Sequence, residues 1–142
     1  MDWIHKDIWK IMGKDFLVQV SRHEQERPED LPPPGFDSEG IHRWCVYAYI
    51  YPKHSLFSRF DPQGGMFQDA ARSLPLHCGV SYFEPHYYLN RKSKEIELTS
   101  FEIGADYHHI HDDEYTRMET TEQAYQVFKD AEELFEFLSK NK

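Results

Sequence analysis

An α+β fold, in which an antiparallel sheet of about four strands is covered on one face by a C-terminal amphipathic helix, is predicted by three stretches of this sequence. Residues 43–51 alternate between two apolar sets. Two further strand-like runs, 79–89 and 95–107, flank the polar turn Asn90-Arg91-Lys92-Ser93-Lys94, as in a hairpin. Ala124, Val127, Phe128, Ala131, Leu134, Phe135 and Leu138 fall on one face of a helix.

At the N-terminus, Trp3, Ile4, Ile8, Ile11 and Met12 recur at helical spacing between Asp2 and Gly13, which predicts a short helix over 3–12. Phe16, Val18 and Val20 then alternate with Gln19 and Ser21, the pattern of a strand with one buried face. Residues 24–40 hold four prolines and many charges and read as a long exposed loop. In the run 43–51, Trp44, Val46, Ala48 and Ile50 share one face, and Cys45, Tyr47, Tyr49 and Tyr51 share the other. Both faces are therefore largely covered, which predicts a central strand. Residues 66–74 read as two helical turns stopped by Pro75. Pro85 and a shift of apolar phase between Leu98 and Phe101 mark bulges or bends in the hairpin. Thr120 and Gln123 form a capping-box pair ahead of the terminal helix, whose Glu132, Glu133 and Glu136 read as its solvated side.

The length of 142 residues fits one domain, 1–142. Sixteen basic and 25 acidic residues give a net charge of −9, so direct gripping of nucleic-acid phosphates is not expected. Two cysteines, Cys45 and Cys78, support neither a disulfide framework nor a paired-cysteine metal knuckle, which points to a reducing, cytoplasmic setting. Charges interrupt every short apolar run at the N-terminus, so neither a signal-peptide core nor a membrane span is expected. No phosphate-binding glycine loop, nucleophile elbow or HExxH occurs.

Polar chemistry concentrates in Gly104-Ala105-Asp106-Tyr107-His108-His109-Ile110-His111-Asp112. If the strand continues, His109 and His111 point the same way, a spacing that suits two imidazole ligands on one divalent metal with Asp112 or a neighbouring aspartate as a third. The competing readings are a polar pocket for a small ligand and a solvated strand end. His77 could join this site across the hairpin. Cys78 beside it is a poor nucleophile candidate, because neighbours in an extended segment face opposite ways. The strand tyrosines could line a groove, although half-buried rings packed under a helix are the plainer account. Lys53, His54 and Arg59 could supply cations to an anion, with loose surface charge as the default.

The segments 44–54, 67–71, 75–79, 104–112 and 128–135 resemble those of a group of small proteins of tailed bacteriophages that have no established activity. The resemblance implies a phage accessory protein in a bacterial cytoplasm and implies that His77, Asp106, Tyr107, His109 and His111 belong to one site. The expectation is thus a non-enzymatic binding protein without a cofactor, acting on a host protein or a small polar ligand, with a homodimer as one possible state. The alternative is a hydrolase using a divalent metal on His109, His111 and Asp112.

Overall fold

Where the sequence predicts an N-terminal helix, the chain forms a strand. The computed structural model describes residues 5–25, 40–109 and 111–141, and most of the proline-rich segment expected as a loop falls outside them. Strand β1 (His5–Met12) pairs antiparallel with β2 (Phe16–Glu24), so that Trp9 lies opposite Val20 and Ile11 opposite Val18. The helical reading failed on Trp9. Its ring stacks 5.7 Å from Trp44 and meets Phe128 edge-on at 5.3 Å, so the apolar anchor of this segment follows period two. Lys6 and Lys10 stand exposed on the opposite side, as is common on edge strands.

Among the described residues the sheet has five strands, in the order β1-β2-β3-β5-β4, where β3 is His42–Ile50, β4 Tyr82–Leu89 and β5 Ile96–Asp106. All neighbours are antiparallel, and β3 is central as its two-sided pattern predicted. The hairpin register shifts between His86 and Tyr87, just past Pro85, which is where the sequence marked a bend. Between β3 and β4, the regular helical part of 66–74 is the single turn α1 (Asp69–Arg72).

Helix α2 (Tyr125–Lys140) covers one face of the sheet. Thr120 and Gln123 exchange the expected capping bonds: the Gln123 amide donates to Thr120 Oγ1 at 3.1 Å, and the Thr120 amide donates to Gln123 Oε1 at 3.3 Å. Val127, Ala131, Leu134 and Leu138 are buried against Phe16, Val18, Trp44, Val46, Ala48 and Phe101. A buried leucine of this kind stabilises by roughly 1.5–3 kcal/mol. His54 belongs to the same layer: its ring is buried and lies 2.9 Å from the Leu138 carbonyl, so it closes the helix end and supplies no surface cation.

The strand tyrosines pack elsewhere than expected. Tyr47, Tyr49 and Tyr82 belong to the face turned away from α2, together with Cys45, Glu84, His86, Glu102 and Asp106. Gly104 makes room for this arrangement. A Cβ there would lie 2.2 Å from Tyr47 Cδ1 and 2.5 Å from the Val46 carbonyl oxygen, so the Tyr47 ring occupies space that any other residue would take. Among the described residues, no helix is long and apolar enough to cross a membrane.

Candidate functional site

Strand β5 ends at Asp106 because its own side chain redirects the chain: Asp106 Oδ1 accepts the His108 amide at 3.1 Å. A turn then follows, with the Asp112 amide on the His109 carbonyl at 2.9 Å and the His109 amide on Asp112 Oδ2 at 3.0 Å. The expected same-side pairing of His109 with His111 required an unbroken strand, and this turn removes it. His111 is exposed, whereas Asp112, four per cent exposed, points inward.

The partner that approaches Asp112 comes from the segment before β4. His77 Nε2 lies 2.9 Å from both carboxylate oxygens of Asp112, and His109 Nδ1 lies 3.0 Å from Oδ2. His77 is held in place by stacking on Tyr107, with centroids 4.2 Å apart and planes 12° apart. The buried Tyr107 in turn donates its hydroxyl to Asp130 of α2 at 2.5 Å. Helix, strand end and loop thus converge on one imidazole.

Cys78 adopts a left-handed backbone, φ 55°, followed by Gly79 at φ 84°. That conformation undoes the alternation expected of neighbours and brings Cys78 Sγ within 3.6 Å of His77 Nε2. The donor atoms of His77, Cys78, His109 and Asp112 all lie within 4.8 Å of one another. Two of the four, His77 and Cys78, come from one segment, and the other two from a turn about thirty residues later.

Electrostatics distinguish the members. Burial works to raise the Asp112 carboxyl, but the His109 amide and the two imidazoles outweigh it and leave it below the ordinary carboxylate range. The Cys78 thiol is pushed up by burial and then by Asp112 and Asp106. A nucleophilic cysteine needs the opposite shift and a base oriented from its far nitrogen. Here thiol and carboxylate meet the same nitrogen of His77, so no Cys-His-Asp relay exists.

Asp106 borders this cluster, with Oδ1 3.6 Å from His109 Nδ1, and faces a second feature on the open side of the sheet. A cavity of about 220 Å³ is lined there by residues including His23, Arg43, Tyr47, Tyr82 and Asp106. Of the residues expected in one site, His77, Tyr107 and His109 meet directly, Asp106 stands beside them, and His111 stands apart. Sequence reasoning assigned no role here to Arg43 or His23. The signal that could have found them was their shared strand face, once β2 and β3 are paired.

No family model matches the chain, and neither a curated protein nor a solved structure is similar to it.

Proposed function

We propose that this chain is a metal-binding protein that holds one zinc-class divalent ion on His77, Cys78, His109 and Asp112, and that the ion ties the loop before β4 to the turn after β5. The observation that carries this reading is the convergence of four donors of mixed type within 4.8 Å. Imidazole, thiolate and carboxylate are the donors zinc takes, and a tetrahedral site with bonds of about 2.0–2.3 Å has donor-to-donor edges of about 3.3–3.8 Å. The Cys78 to His77 separation of 3.6 Å already fits that range. The imidazole to Asp112 separations of 2.9–3.0 Å are hydrogen-bond lengths and need to widen by a few tenths of an ångström when the shared protons leave.

Four protein donors complete a tetrahedron, which supports a closed, non-catalytic centre in a binding protein over a hydrolytic one. The metal set differs from the one expected from sequence, because His77 and Cys78 stand where His111 was placed. A hydrolytic reading is favoured by one observation: Cys78 is exposed, so a site of His77, His109 and Asp112 with the thiol aside would leave a position for water.

Metal content of the untagged protein after equilibration with zinc tests the proposal. One ion per chain is expected, and cobalt in its place should give a thiolate-to-metal charge-transfer band that Cys78→Ser abolishes. His111→Ala should keep the ion, and His77→Ala/His109→Ala should lose it. Wild-type protein that retains no ion, or a double variant that retains as much as wild type, overturns the reading. Cys78→Ser with unaltered affinity would favour the open, hydrolytic form.

A further inference from the structure

The cavity on the open sheet face has a composition that the metal centre does not account for. Cys45, one of its lining residues, is six per cent exposed. Its wall is the ring pair Tyr47 and Tyr82, 5.4 Å apart and 75° inclined, seated over Gly104. Burial pushes both hydroxyls far above their ordinary range, so they remain neutral hydrogen-bonding groups.

Opposite charges stand close together in its lining, on Arg43 and Asp106. Arg43 is anchored through Nη1 to the carbonyl oxygens of Gly40 at 2.9 Å and His42 at 3.1 Å, which fixes where its guanidinium lies. Asp106 is fixed by the His108 amide on Oδ1, and its own amide donates to Ser81 Oγ at 3.1 Å. In the sheet register Asp106 lies opposite Cys45, two residues along β3 from Arg43, so the two charges share one face as diagonal neighbours. Charge held at known points beside a pair of rings is how small-molecule sites fix orientation.

We infer that this pocket binds a small zwitterion with a planar or aromatic body, its carboxylate directed to Arg43, its ammonium to Asp106 and its ring to Tyr47 and Tyr82. Guanidinium and carboxylate form charge-assisted pairs with good directionality. The Asp106 carboxylate and the tyrosine faces both favour the cationic end. A cavity of about 220 Å³ has the scale of an amino acid and is too small for a nucleotide carrying several phosphates. This inference stands on the pocket alone and does not require the metal.

The test is a titration of the full chain, with a chelator present, by L-phenylalanine, by phenylalaninamide and by 3-phenylpropanoate. The amide lacks the anion and the acid lacks the cation. Backbone amide shifts of Cys45, Tyr47, Gly104 and Asp106 are the readout. L-phenylalanine should bind at least about tenfold more tightly than either relative, each of which lacks one charge-assisted contact. Arg43→Gln should bring phenylalanine down to the affinity of the amide, and Asp106→Asn should bring it down to that of the acid. The inference is overturned if no probe shifts these amides at about 10 mM, a concentration that would reveal even weak binding. It is equally overturned if either singly charged relative binds wild type as well as phenylalanine does. The wild-type comparison decides the matter even where a variant fails to fold.

Discussion

His23 lies on β2 directly across from Arg43, with Lys6 across on its other side. Burial, then Arg43, then Lys6 lower its pKa from 6.5 to about 4. The unfolded chain therefore takes up this proton well before the folded chain does, and stability falls as pH drops from about 6.5 towards about 4. After allowance for partial exposure, the loss at this one group is roughly 1–2 kcal/mol. Urea unfolding at pH 7.5 and pH 5 should show wild type losing more stability than His23→Gln over that interval, and equal losses would show that the imidazole is not the cause. At this scale the candidate site was only partly legible. Asp106, Tyr107 and His109 stand together in a visibly polar segment, and a hairpin can bring His77 to them. The position of Cys78 depends on a left-handed residue, and that of Asp112 on a side-chain-capped turn. Period-two reasoning sees neither.

Strand β1 shows how an edge element escapes pattern reading. Five of its seven described side chains are exposed, so apolar spacing is a weak guide, and Ile8 and Ile11 imitate a helical stripe while remaining 46% and 40% exposed. Beside its ladder to β2 and the Asp7–Arg22 ion pair, the strand has one apolar anchor, Trp9. Trp9→Ala removes the stack on Trp44 and the edge contact with Phe128, and it should cost about 3 kcal/mol. Amide exchange should then accelerate throughout His5–Met12 while β3 and β5 keep their protection; uniform loss of protection would mean that β1 belongs to the cooperative core. By contrast, β3, the second half of β5 and α2 were readable because each buries a face, and the largely exposed β4 was marked by the polar turn that joins it to β5. There tertiary packing and local periodicity demand the same residues, and even the bend past Pro85 was marked by the missing donor.

For the molecule as a whole, a metal on the four donors would act as a cross-link between two segments that each flank the β4–β5 hairpin. Zinc at about one hundred times its dissociation constant should add about 2.7 kcal/mol to unfolding stability, absent from His77→Ala/His109→Ala. Thermal unfolding at several zinc concentrations checks this, and a midpoint that does not move with zinc would contradict it. The net charge of −9 supplies a mild general attraction for cations, so the double variant is the comparison that separates a site from a field. The chain's longest excursion between neighbouring strands leaves β2 at Gln25 and returns at Ile41, where the Gln25 amide donates to the Ile41 carbonyl at 2.8 Å. Because that clasp fixes both ends, doubling the intervening length costs only about 0.6 kcal/mol in closure entropy. Gln25 also lines the open-face cavity. The clasp therefore sets the β2–β3 register, and with it the cavity lining these strands supply, independently of the length of chain that joins them, much as a hinge pin holds two leaves whatever hangs beyond it.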